Sequence, residues 1–267
     1  MRIFLAEWRK LRRPTFFFGT MGSVVFVTGL VTSLLFLLID AKTGNADRGN
    51  RITREMLQLS DGFTIGFRSA SGLLGIVALS VFAAQTAYEY THGTLRNLLI
   101  RQPRRLALLL GKYFSMVALA VIIVIVSAIT SVGIAYALAG RAKVATDLWS
   151  SSDAYSAFGH SFANVLISTI GYGTIGMILG IIFKSPNIAI TVGNAFLLVV
   201  ESIVGIAWKA STNWLPGNLL SIVSSGGKPI SVENPISYSQ ALLRIGIYLI
   251  VAAGLTSALF KRRDVAN

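Results

Sequence analysis

The chain has 267 residues, 54% of them hydrophobic and only 13% charged, with 24 Lys and Arg against 11 Asp and Glu for a net charge of +13. That composition excludes an ordinary soluble domain and points to a membrane protein, and anionic lipid and topology account for the positive charge without nucleic acid. Cysteine is absent, so disulfides, thiolate metal ligands and thiol nucleophiles are excluded.

The chain opens on MRIFLAEWRKLRRP. On a helical wheel Met1, Phe4, Leu5, Trp8 and Leu11 share one face, and Arg2, Arg9, Lys10 and Arg13 populate the others. This pattern predicts an amphipathic helix lying in the membrane interface, with Phe4, Trp8 and Leu11 toward the acyl chains and the cations toward phosphate. Pro14 separates it from the next element. The plainer alternative is a positive segment that only sets topology.

Six apolar runs follow, at about 15–39, 69–87, 114–139, 161–183, 187–208 and 240–260. Each suffices for a spanning helix, which needs about 20 residues. The first, at about 25 residues, is too long for the 7–15-residue core of a signal peptide. The expected fold is a single all-α integral membrane domain over 1–267, with six transmembrane helices. Lys and Arg mark the sides. The amino terminus, the loops after the second and fourth runs and the tail hold fourteen, the other three loops hold eight, and Arg68 and Arg244 stand at run ends. The positive-inside rule then places both termini in the cytoplasm of a multi-pass protein, expected in the plasma membrane of a prokaryote.

The loop after the second run reads EYTHGTLRNLLIRQPRRLALLLGKY over 89–113. Leu95, Leu98 and Leu99 fall at i, i+3 and i+4 and make one apolar stripe on a short helix. Arg96 and Arg101 flank it, Thr94 or Thr91 can cap its start, and Pro103 limits its end. Such a stripe suits a groove on a partner; the alternative is a purely topogenic basic loop with its leucines on lipid. The fourth run carries Gly171, Gly173, Gly176 and Gly180, a small-residue pattern for close helix packing or for a flexible transport helix.

The fifth run contains one acid, Glu201, roughly 20 Å along the helix from Asn187 and so in the outer half of the bilayer. A carboxylate there costs about 2.5–3.5 kcal/mol on insertion scales and must face protein or water. Two readings stay open. Glu201, with Arg68, marks a substrate path or subunit contact, or it is a protonated or paired acid, with Arg68 or Arg244 as partner. The long external loop 209–239 includes NWLPGNLLSIVSSGG, too short to span and too apolar to be solvated, which predicts a re-entrant helical hairpin before the last span.

Catalytic signatures are missing. Gly111-Lys112 is followed by Tyr113 and lacks the earlier glycine of a phosphate-binding loop. His92 and His160 lie in different loops without partners at metal spacing. No metal site, bound cofactor or enzymatic activity is expected of this chain.

The run from Glu89 through Gly93, Thr94, Leu95 and Arg96, then Pro103-Arg104-Arg105, then Lys112 before the third span, resembles the permeases of type-2 ATP-binding-cassette (ABC) exporters. The likeness extends over the whole chain: a basic amphipathic amino-terminal helix, six spans and an apolar Pro-containing hairpin before the sixth. The resemblance implies a cytoplasmic coupling helix that seats Glu89, Gly93, Thr94, Leu95, Arg96, Leu98, Leu99, Pro103, Arg104 and Arg105 against a separate ATPase subunit. It implies two such ATPases per complex, carrying the ATP and Mg, and a second copy of the chain or a related permease. The expected function is ATP-driven export of a small molecule, drug or antimicrobial peptide. The alternative is an ATP-independent channel or secondary transporter.

Overall fold

The computed structural model describes residues 2–39, 52–93, 105–227 and 236–262. Among these, every regular element is helical, and six helical segments are long and apolar enough to cross a membrane. The helices are α1 (Arg2–Leu11), α2 (Pro14–Leu37), α3 (Arg54–Gln58), α4 (Ile65–Thr91), α5 (Arg105–Ala139) and α6 (Ser152–Phe183). They continue with α7 (Pro186–Ala195), α8 (Glu201–Ala207), α9 (Pro216–Ser224) and α10 (Tyr238–Arg262). A π-helical turn, Phe196–Val200, joins α7 to α8 as one span.

The six spans fall where the apolar runs predict them, but several helices extend further. α6 starts at Ser152 because the Ser151 side chain caps it, accepting from the Ala154 N–H at 3.2 Å. Its 32 residues make about 48 Å of helix, longer than a hydrocarbon core of about 30 Å. Hydropathy registers only the apolar part of such a helix. Pro14 and Pro186 each occupy the first turn of their helix, where no N–H is needed.

The packing has two seams. α4 and α6 form the central one, and glycine makes it possible: a Cβ at Gly176 would collide with the Leu79 carbonyl, and one at Gly180 would lie 2.8 Å from the Ala83 oxygen. The small-residue pattern therefore serves close helix approach. The second seam joins α2 to α5 through buried hydroxyl pairs one turn apart, Thr28 with Ser127 at 2.9 Å and Thr32 with Ser131 at 3.0 Å. At the end of the bundle formed by residues 57–63 and 139–154, Trp149 is buried and donates its indole N–H to the Leu57 carbonyl at 2.9 Å. Phe36, Phe63 and Tyr136 surround its ring. The short α9 packs on α6 and α10, burying Leu219, Leu220, Ile222 and Val223.

The glycine seam gives a direct test. Gly176→Ala forces the α4 backbone away from α6 and is expected to destabilise by about 1–3 kcal/mol, as overpacking does. Gly133→Ala on α5, whose Cβ would meet nothing within 4 Å, is expected to be neutral or stabilising by up to about 1 kcal/mol. Thermal unfolding of the two variants in detergent should order them that way.

Candidate functional site

At the other end of the bundle the amphipathic α1 folds back onto the start of α5. Gly111 has no side chain there, and a Cβ would come within 2.6 Å of Ile3. This close approach carries Glu7 and Lys10, one turn apart on α1, to the last turn of α4 and the first turns of α5. Four charges meet. The Lys112 ammonium donates to Glu89 at 2.7 Å, to Glu7 at 3.2 Å and to the Gln85 carbonyl at 3.1 Å. Lys10 donates to Glu7 at 2.6 Å and to Glu89 at 2.9 Å. Glu7, Glu89 and Lys112 are only 5%, 7% and 4% exposed. Among the described residues two acids alternate with two cations, and the three N–H groups of Lys112 have three acceptors. Buried charges are tolerated when paired and hydrogen-bonded in this way.

Burial by itself raises the Glu7 carboxyl, but the Lys112 and Lys10 ammonium groups outweigh it and hold the group below its ordinary value of 4.5. For Lys10 burial works downward, and the Glu7 and Glu89 carboxylates outweigh it, raising the amine above its ordinary 10.5. Both partners thus favour the charged state.

The cluster closes the ends of the segment that the sequence singles out. Glu89 lies two residues before the end of α4, which terminates through His92 and Gly93 in the left-handed conformation at φ +63°. Lys112 lies on the first turns of α5, which Arg105 opens. Thr94, Leu95, Arg96, Leu98, Leu99, Pro103 and Arg104 lie outside the described residues. Sequence reasoning found Glu89 and Lys112 but missed Glu7 and Lys10 as their partners. The signal was a lone acid among five cations, one helical turn before Leu11. The wheel also set Phe4, Leu5, Trp8 and Leu11 on one face. In the structure Leu11 enters the core and Trp8 packs against it, stacked on Phe4, while Leu5 is exposed. The face turned to the protein runs through Ile3, Glu7 and Leu11, because the ion cluster and Gly111 fix the rotation of α1.

The second polar site is Glu201, which follows the π turn and is buried. Its partners are neither Arg68 nor Arg244. The carboxylate accepts the Gly217 N–H at 2.8 Å and the Asn218 N–H at 3.1 Å, capping the first turn of α9. Leu215, at the N-cap, has no side chain to do this. Tyr172 donates its hydroxyl to the Gly217 carbonyl at 3.0 Å. Arg68 pairs with Asp61 at 2.8 Å, and Arg244 stacks on Trp214 and donates to the Asn213 carbonyl at 2.7 Å. A 460 Å³ cavity between α4, α8 and α9 has Glu201, Tyr172, Asn213 and Asn218 among its lining.

Residues 20–266 match a protein family described as Protein of unknown function (DUF2705). The chain belongs to this family. The matched DUF2705 region contains Glu89, Lys112 and Glu201 and begins after α1. The chain is also similar to "Uncharacterized protein YhcI" of Bacillus subtilis (strain 168), 23% identical over 208 residues. That similarity covers 73% of this chain and 66% of the relative's length.

Two measurements test the cluster in this DUF2705 protein. Lys112→Met removes the ammonium group that the buried Glu7 and Glu89 carboxylates share and is expected to cost about 3–5 kcal/mol of stability. Combining it with Glu89→Gln should recover a large part of that loss, and a cycle of the two single variants and the double variant reads the coupling. The second measurement is pH. Stability from Glu7 is complete above 4.5 and lost as pH falls through its lower folded value; stability from Lys10 is complete below 10.5 and lost as pH rises through its higher folded value. Glu7→Gln should flatten the acid limb of a melting-temperature profile and lower the plateau.

Proposed function

We propose that this protein is the transmembrane permease of an ATP-driven exporter of the type-2 ABC class, with ATP hydrolysis on separate subunits. The observation that carries the reading is the 2.7 Å contact of Lys112 with Glu89. These residues bracket the segment on which the family likeness rests. A short helix ending before Pro103 that docks in a groove of an ATPase would be anchored at both feet of its segment, and α1 would be locked to the same feet through Glu7 and Lys10. Motion of the ATPase would then reach α1, α4 and α5 together.

In this reading the 94–104 end faces the cytoplasm with both termini, as the Lys and Arg distribution supports. α1 lies in the inner interface of the cell membrane, and α9 is a re-entrant helix dipping from the outer surface. Two copies of the chain, or one copy and a related permease, pair with two ATPases that bind ATP and Mg. The cavity beside Glu201 lies on the outer part of the export path for a small molecule, drug or antimicrobial peptide. This chain carries the path and the lever, and the partner carries the catalysis.

The test is Leu98→Asp with Leu99→Asp. Losing the burial of two leucines is expected to weaken docking by about 3–6 kcal/mol, at least a hundredfold in affinity. Insertion into the membrane should survive, since the spans are unchanged. The measurement is recovery of a cassette ATPase with the tagged chain from native membranes in mild detergent. Equal recovery with the double variant removes this helix from the interface, and no cassette ATPase with the unaltered chain defeats the exporter reading.

A further inference from the structure

The cavity beside Glu201 has a volume of 460 Å³, in the range of small-molecule sites, about 300–1,000 Å³. Leu73 and Ile76 of α4, Leu197 of the π turn and Leu215 and Ile222 around α9 give it apolar walls. Its polar groups are turned one way. Ser202 donates its hydroxyl to the Leu198 carbonyl at 2.7 Å, Thr212 to the Lys209 carbonyl at 2.7 Å and Tyr172 to the Gly217 carbonyl at 3.0 Å. The Asn218 side-chain amide donates to the Thr212 carbonyl at 2.8 Å. Each of these hydroxyls has spent its one proton, so what it can still offer a ligand is an acceptor oxygen.

Glu201 adds charge of the same sense. A carboxylate accepts at about four lone-pair positions, and the Gly217 and Asn218 N–H groups take one on each oxygen. Neither N–H brings a countercharge. Arg68 is paired with Asp61, and Arg244 is held by Trp214 and the Asn213 carbonyl. Among the described residues no Lys, Arg or His lines the cavity. A buried carboxylate calls for a cation, and here a ligand-sized space adjoins it. An anionic ligand would meet like charge and spent donors. A neutral apolar one would fill the walls and leave the charge unmatched.

We propose that this cavity recognises organic cations, with an ammonium group donating to Glu201 and the neighbouring hydroxyl oxygens and an apolar body lying between α4 and α9. As the class of molecule exported, this rests on the exporter reading above; as a binding site, it rests on the cavity alone.

The test uses dansylcadaverine, a primary ammonium tethered to a fluorescent naphthalene, and its N-acetylated, neutral form. Each is titrated into the full chain in uncharged detergent without any ATPase, with free probe measured by dialysis against protein-free micelles. The unaltered protein should bind the ammonium at least about tenfold more tightly than the acetylated probe. Glu201→Gln, which keeps an acceptor for the first turn of α9, should remove that preference and retain the acetylated probe. Gly72→Leu fills the cavity from α4, where a Cβ would meet nothing within 4 Å, and should weaken both probes with Glu201 in place. Equal binding of the two probes by the unaltered protein would overturn the proposal. So would a preference that survives Glu201→Gln, or ammonium binding that Gly72→Leu leaves unchanged. Should Glu201→Gln lose both probes by releasing α9, the Gly72→Leu result decides. These outcomes bear on the ligand class alone, because the exporter reading is judged by recovery of the ATPase.

Discussion

Lys112 lies where three helices converge, and it is almost wholly buried. In that setting a charge must be matched by protein groups or it will not stay charged. Glu89, Glu7 and the Gln85 carbonyl supply the match, and the rotation of α1, its distance from α5 and the closure of α4 on α5 follow from it. A buried ion cluster is a poor source of net stability, since desolvation offsets much of the attraction. Its effect is specificity: α1 has one register in which Glu7 reaches Lys112 while Leu11 reaches the core.

The same rule operates at the other polar points of the bundle. α9 begins among apolar helices, where the free N–H groups of its first turn would be costly. Glu201 reaches across from α8 and accepts two of them. The hydroxyls of Thr28, Thr32, Ser127 and Ser131 satisfy one another between α2 and α5, and Trp149 finds the Leu57 carbonyl. The hydroxyl and indole bonds join residues 92 to 99 positions apart in sequence. Polar residues in this chain therefore locate helices relative to one another more than they solubilise surfaces.

Six spans were legible in the sequence because each must bury about 20 apolar residues, a signal carried by the run itself. The glycine seam was half legible: Gly176 and Gly180 announce close packing, but their counterparts Leu79 and Ala83 on α4 carry no mark of their own. The ion cluster was legible only at Glu89 and Lys112. Glu7 was hidden because a helical wheel sorts residues by polarity and sends an acid to the solvent side. Only the fold brings Lys112 close enough to reverse that assignment. Glu201 was visible as an anomaly, yet its partners are backbone N–H groups, which no side-chain pattern records. Arg68 and Arg244, the side chains a charge pattern would offer it, are engaged by Asp61 and by Trp214 and the Asn213 carbonyl.

The π turn before Glu201 ties these features to movement. An α-helix continued through Phe196–Val200 would set the following residues in a different rotation; the wider turn directs Glu201 inward while Leu198, Val199, Ile203 and Ile206 remain on the exposed surface. Because Glu201 caps α9, displacing the hairpin without α8 breaks two hydrogen bonds to a buried carboxylate. Bonds to charged groups are worth about 1.5–3 kcal/mol each. Moving α8 and α9 together costs neither bond. The spans α7–α8 and α10 are among the least buried of the six, while α4 and α6 are the most buried and are sealed by glycine. In the proposed exporter the path beside Glu201 would therefore open by shifting α8 and its hairpin as one unit against a fixed α4–α6 pair. The ion cluster at the far end of α4 would be the point where force enters that pair.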